Sequence, residues 1–395
     1  MSVIRLALVS TMSIQSIATA STVTLSAIAP LVATAIGMPS SFIGTYVCFI
    51  YIGAAFAAVA GGTMVTRYGG IHVSQGCLIL AAIGLILSAV PYFVCICFGG
   101  LLLGLSYGPI TPASSDILSH TVPKERMGFV FSLKQTAVPL GSALAGFIVP
   151  SVALWADDWK AGPHTMAVLA LIVALLVLYH RSQLDDHFDP KSRFSIHTVL
   201  NALRLVTSQS GLRRMCIVSF VYNGTQMCVF SYLVSFIVED ISIPIVLAGM
   251  ALSAASIGGM CGRLFWGIFA DWVHSPRMTL CILGFLMSAM LITVGFFSPD
   301  TATVLLLLVC FFLGASAIGW NGVYLAHVAR IAPQGKAGVA TGGTLFFTFA
   351  GAIFLPLAFG FIHGIFNEYF ESFYATAGLC ALVALWLLLS KAENR

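Results

Sequence analysis

Charge is what this sequence has least of. Asp, Glu, Lys and Arg make up 8% of 395 residues, against about 25% in a soluble domain, so water cannot be the solvent for most of its surface. Several catalytic signatures are missing too. The sequence contains no helical metal-protease motif, no phosphate-cradling loop and no nucleophile elbow. Without an ATP-binding motif, any uphill work must draw on an ion or solute gradient. The ten cysteines lie mostly inside apolar runs, where Cys behaves as a small hydrophobe, so no disulfide framework is expected. One acidic cluster, Asp185-Asp186-His187-Phe188-Asp189, has the spacing that could hold Mg²⁺ against a diphosphate. A second cluster on another helix would be needed and none exists, and a charged linker run is ordinarily just solvated. The expectation is therefore no metal, no cofactor and no enzyme.

What is present is hydrophobic: 59% of the residues. Crossing about 30 Å of hydrocarbon takes roughly 20 apolar residues. Twelve such stretches occur, at about 5-29, 42-62, 73-93, 96-118, 128-152, 163-181, 214-237, 243-267, 278-297, 302-326, 337-361 and 370-390. The fold class this predicts is an all-α membrane protein of twelve transmembrane helices. Arg5, an apolar run and Ala18-Thr19-Ala20 imitate a secretory signal. Ser10, Thr11, Ser13, Gln15 and Ser16 weaken that core, and cleavage would leave eleven helices, so an uncleaved first helix is expected.

The few charges set orientation. With the N-terminus inside, Arg67, Lys124, Arg126, Arg181, Lys191, Arg193, Arg204, Arg213, Arg214, Arg277, Arg330 and Lys336 fall in inner loops and only Lys160 in an outer one, which is the positive-inside pattern. Asp157, Asp158, Glu239, Asp240, Asp300, Glu368 and Glu371 lie outside. Both termini are thus expected in the cytoplasm, in a plasma (inner) membrane. The formal charge of +4 reports topology, and no nucleic-acid partner follows from it.

The longest polar break divides the chain into six-helix bundles at 1-182 and 214-395, joined by a linker at 183-213. In the linker Ile196, Val199, Leu200 and Leu203 recur at helical spacing, as in an amphipathic helix at the cytoplasmic interface or a solvated linker helix. The halves also match without a gap: Gly104, Ser106, Pro123, Gly128 and Gly141 correspond to Gly314, Ser316, Pro333, Gly338 and Gly351. Helices 6 and 12 are almost wholly apolar, as lipid-facing helices should be. Polar side chains gather elsewhere, with Gln15 in helix 1, Tyr107 in helix 4, Asn223 and Gln226 in helix 7, and Asn321 and Tyr324 in helix 10. Polar groups facing lipid are costly, so these mark surfaces that meet water, substrate or each other. Three ionisable residues lie within predicted spans: Asp116, Lys134 and Arg263. Lys134 sits roughly 10 Å inside the inner interface and Arg263 roughly 6 Å, so both are read as substrate-binding cations. Asp116 is a candidate for ion coupling, or else an ion-pair partner of Arg126 or Lys134.

The run from Gly262 and Arg263 through Gly267 to Asp271 resembles the Gly-x-x-x-Asp signature between helices 8 and 9 of major facilitator superfamily transporters. Gly62 to Gly70, with Arg67, is its counterpart between helices 2 and 3, with Thr66 where the family usually has Asp. The resemblance implies the major facilitator fold, two bundles related by a pseudo-twofold axis. It also implies gating roles for Gly62, Arg67, Gly267 and Asp271, glycine allowing close helix approach and the carboxylate latching the cytoplasmic mouth. Helix 4 has Phe98-Gly99-Gly100 where the family often carries Arg. Arg263 is similar in placement to the arginine that meets substrate carboxylate in monocarboxylate transporters and oxalate/formate antiporters. Those antiporters also use a helix 11 Lys; here Thr344 occupies that stretch, and Lys134 is its repeat equivalent in helix 5. Pro139, Gly141, Gly146 and Pro150 loosely resemble the helix 5 motif of drug antiporters. The expected function is secondary transport of a small solute by alternating access, by a monomer, with a proton or other ion as symport partner. An organic anion, met by Lys134 and Arg263 in one cavity, is the expected substrate. A drug or metabolite exporter and a non-transporting solute sensor are the alternatives.

Overall fold

The computed structural model describes residues 3–122, 130, 133–179, 181–185, 196–333 and 337–390; at 59, 60, 62, 63, 66, 119, 182, 196–201, 337 and 338 it describes the backbone alone. All regular structure among these residues is helical, and twelve helices are long and apolar enough to cross a membrane. They are α1 (Val3–Val23), α2 (Ile43–Tyr68), α3 (Gly70–Ser88), α4 (Phe93–Tyr107 continued by Ile110–Thr121), α5 (Ala137–Trp155) and α6 (Ala161–Leu178). The other six are α7 (Ser210–Glu239), α8 (Ile245–Trp272), α9 (Pro276–Val294), α10 (Thr303–Ala317 continued by Asn321–Ile331), α11 (Ala337–Phe366) and α12 (Tyr369–Leu389). The chain forms two compact units, Met1–Phe194 and Ser195–Arg395.

One predicted span ends early, and two others, found where expected, contain a break. The first helix stops at Val23; a 3₁₀ turn, Ser26–Ile28, and a short helix, Ala29–Ile36, follow. Pro30 in the first turn explains the restart, because its missing N–H costs nothing there. Spans four and ten are not continuous. In α4 the break falls at Gly108-Pro109, where proline removes a backbone donor. In α10 it falls at Ile318-Gly319-Trp320 without a proline, and α8 supplies compensation. Arg263 Nε donates to Ile318 O at 3.2 Å and Trp266 Nε1 to Ala315 O at 2.9 Å. In lipid a carbonyl near a helix break must find such a donor inside the protein.

Glycine makes the same contact in both units. A Cβ on Gly104 would stand 1.9 Å from Ile50 O of α2, and one on Gly314 would stand 1.7 Å from Ala255 O of α8. Likewise α5 meets α1 at Gly141 against Ser16 O, and α11 meets α7 at Gly351 against Phe220 O. The matched serines also behave alike: Ser106 donates to Leu103 O at 2.7 Å and Ser316 to Leu313 O at 2.9 Å. Side chains larger than hydrogen would force these helix pairs apart.

The apolar faces of α6 and α12 are exposed, at Leu175, Leu176, Leu382 and Leu389 among others. By contrast α7 is buried along most of its length. In the linker a helix spans Ile196–Ser208. Of its expected apolar face, Ile196, Val199 and Leu200 have side chains outside the described residues, and Leu203 is half-buried. Ala202 and Val206 make the contact, packing on Gly343 of α11.

Candidate functional site

The first unit brings Lys134, Gln15 and Thr111 together. Lys134, in the membrane span Leu133–Trp155, is 2% exposed and Gln15 wholly buried. Lys134 Nζ donates to Gln15 Oε1 at 3.2 Å, and Thr111 Oγ1 donates to the same oxygen at 3.4 Å. Two donors on one oxygen fix which way the amide points. Its Nε2 is then left as a buried donor without an acceptor, an arrangement that native interiors rarely leave unused. Tyr107, at the break in α4, is half-buried. The remaining ammonium protons of Lys134 and the amide N–H of Gln15 form a donor set, suited to an anion or a polyhydroxylated molecule.

The second unit has a neutral counterpart. Gln226 Oε1 accepts from Trp320 Nε1 at 3.2 Å, and Trp320 packs against Tyr324 and Tyr222. Asn223 Nδ2 donates to Thr348 O at 2.8 Å. The Tyr324 hydroxyl lies near Ser219, Thr344 and Thr348, with no well-formed bond, and His327 Nε2 is likewise buried without a partner. Asn321 is half-buried at the start of the second piece of α10. Arg263, half-buried, has Nε engaged at the α10 break, a supporting role that sequence reasoning did not anticipate. Trp320 and His327 had only their polarity to mark them.

Asp116, expected near Arg126 or Lys134, is one helical turn from His120, with Oδ1 at 3.7 Å from the ring Nδ1; Arg126 lies outside the described residues. At the helix 8–9 loop, Asp271 is 3.9 Å from Arg330, both largely exposed, a geometry worth about 0–1 kcal/mol. Gly267 does not make a close approach: a Cβ there meets nothing within 4 Å, whereas Gly262, five residues earlier, lies against Ala315 O. Small size was expected to serve packing at Gly267, and the helix packs at Gly262 instead. At the equivalent first-unit loop, Gly62 and Thr66 have no described side chains, and Arg67 lies over the Tyr68 ring.

A carboxylate does reach that first loop, from another part of the chain. Asp185 accepts from Ile71 N at 2.8 Å and His72 N at 2.9 Å, holding two of the unpaired N–H groups that begin α3. Asp185 is therefore a helix cap, which corrects its reading as solvated; Asp186, His187 and Asp189 lie outside the described residues. Gly69 accommodates it: φ is +90° there, and a Cβ would stand 2.6 Å from the Asp185 carboxylate carbon. Asp185→Ala should lower stability by about 1–2 kcal/mol, seen as a fall in Tm, with Asp185→Asn between it and wild type. An unchanged Tm in both would remove this role.

Residues 11–356 match the family model described as Major Facilitator Superfamily. The chain belongs to this superfamily. It is a multi-pass membrane transporter, not an enzyme. Among superfamily relatives, the "Probable galactarate/D-glucarate transporter GarP" of Escherichia coli (strain K12) is 20% identical over 73% of this chain and 70% of its own. The "Hexuronate transporter" of Bacillus subtilis (strain 168) is 21% identical over 91% of this chain and 88% of its own. In structure, a point mutant of the nucleoside transporter NupG superposes with a TM-score of 0.80 at 16% identity, covering 97% of this chain and 99% of that one. At such identity the superposition speaks for the fold, and the fold is that of the superfamily.

Proposed function

We propose that this superfamily member carries a small polyhydroxylated carboxylate, of the sugar-acid class, by alternating access. The observation that carries this reading is the buried donor set of Lys134 and Gln15, whose amide Nε2 has no acceptor. An ammonium matches a carboxylate by charge, and an amide N–H matches its second oxygen or a neighbouring hydroxyl. The printed names of the relatives, transporters of galactarate, D-glucarate and hexuronate, favour the same class. Arg263, Asn223, Gln226, Asn321 and Tyr324 are the contributors proposed for the second unit. Asp116 is the proposed proton carrier of a symport, since it is half-buried beside His120. Arg67 and Asp271 remain the proposed gating residues. On the same reading the protein is a plasma-membrane monomer, both termini are cytoplasmic, and 183–213 joins bundles at 1–182 and 214–395.

The test is uptake by proteoliposomes of labelled galactarate, glucuronate, glucose and a cationic drug, with and without an imposed inward proton gradient. Uptake of one of the two acids, stimulated by the gradient and competed by the other acid but not by glucose, is expected. Equal uptake of glucose, or uptake of the drug alone, would overturn the reading in favour of a sugar carrier or an exporter.

A further inference from the structure

We infer that the second unit carries a binding site for an anionic phospholipid at the membrane edge, formed by the start of α7 and the end of α12. Its polar part is a cavity of about 340 Å³ lined by Ser210, Arg213, Arg214, Ile217, Trp386 and Ser390. Arg213 is exposed, while Arg214 is half-buried and donates through Nη1 to Ser390 Oγ at 3.1 Å. Arg277, at the start of α9, reaches the same hydroxyl at 3.0 Å and Leu387 O at 2.6 Å. The Ser390 hydroxyl thus receives both Arg214 and Arg277, and the exposed Arg213 lines the cavity beside them. Such a concentration of positive charge attracts a phosphodiester, for which guanidinium is the best-shaped donor.

A second cavity of about 340 Å³, wholly apolar in its exposed lining, adjoins the first. It shares Arg213 and Ile217 with the first and continues along Cys216, Phe220 and Phe347. Its walls come from the membrane-spanning α7 and α11, and from the linker helix Ile196–Ser208 through Val206 and Thr207. Headgroup-sized basic space opening onto an apolar groove along a spanning helix fits a phospholipid and not a free anion, which would leave the groove empty. Trp386, 41% exposed, stands where an interfacial aromatic ring would meet the glycerol region. The opposite end of the same helices has the opposite charge: Asp240 accepts from Tyr369 N, and Glu239 accepts from the Tyr369 hydroxyl. An anionic lipid is therefore attracted to one end of this unit and repelled from the other.

The experiment uses the full-length protein in detergent, with native mass spectrometry for bound lipid and Tm for stabilisation. Probes are phosphatidylglycerol, phosphatidylcholine and inorganic phosphate. Each charge near such a headgroup changes affinity about fivefold, so Arg213→Gln should weaken phosphatidylglycerol binding about fivefold and Arg213→Glu about 25-fold, with phosphatidylcholine unaffected. Ile217→Ser, which spoils the shared wall and leaves the charges, should weaken binding too. Preferential retention of phosphatidylglycerol by wild type, lost in these variants, supports the site. Three results overturn it: equal retention of both lipids, an undiminished preference in the Arg213 variants, or a Tm rise with inorganic phosphate equal to that with phosphatidylglycerol, which would mark a free-anion site.

Discussion

Replacing Lys134 by Met is expected to reduce carboxylate uptake about 30-fold or more, while the protein reaches the membrane at normal levels. The size follows from what the side chain does on the proposed reading: losing one partner of a buried, hydrogen-bonded charge pair costs about 2–5 kcal/mol in binding, and about 1.4 kcal/mol is tenfold. Lys134→Arg should keep part of the activity, because charge is retained, but the planar fork needs space that a 2% exposed position supplies poorly. Stability separates this from a structural role. A desolvated ammonium is costly to bury, so Lys134→Met should leave Tm unchanged or raised if the lysine is kept for substrate. If Lys134 instead serves mainly to satisfy Gln15 Oε1, to which it donates at 3.2 Å, Lys134→Met should lower Tm and leave the KM of surviving protein near wild type. Undiminished uptake would remove Lys134 from the substrate site.

How much of this was legible follows from the range of the interactions concerned. Helix number needs only apolar length, a local property, and α6 or α12 can be read from a dozen consecutive residues. Lys134 and Arg263 were legible because an ionisable residue in an apolar run is conspicuous without any partner. The Gly104 and Gly314 match was legible as a repeat, although only the structure shows that both serve backbone contact. Pro109 signals the break in α4, and reading the span by hydrophobicity alone passes over it. The break in α10 has no proline, and its compensation comes from Arg263 and Trp266 on another helix. Asp185 was out of reach for the same reason: its donors, Ile71 and His72, are more than a hundred positions away along the chain. The unpaired donor of Gln15 is a matter of side-chain orientation, which no pattern of residue types encodes. Solubility in lipid is thus written locally, whereas the polar groups that operate inside it are defined by neighbours distant in sequence.

The largest loss of stability is expected from Gly314→Ala, about 3 kcal/mol or more, with Gly314→Val giving little folded protein. A new Cβ would lie 1.7 Å from Ala255 O and 2.4 Å from its carbonyl carbon, so relief requires α8 and α10 to separate by more than an ångström. Side chains can change rotamer to accept a methyl group; a backbone carbonyl in a helix cannot, and overpacking of this kind costs about 1–3 kcal/mol even where neighbours yield. The consequences extend beyond one contact. Separation would also pull Arg263 and Trp266 of α8 away from Ile318 O and Ala315 O, leaving polar backbone groups of the broken helix without donors in an apolar medium. Gly104→Ala should behave similarly, its Cβ lying 1.9 Å from Ile50 O. Gly267→Ala is the control on the same α8: nothing lies within 4 Å of its Cβ, and replacing glycine by alanine within a helix gains up to about 1 kcal/mol. Tm and the yield of monodisperse protein in detergent measure all three. If Gly267→Ala proved as destabilising as Gly314→Ala, close approach at Gly314 would not be what holds α8 and α10 together.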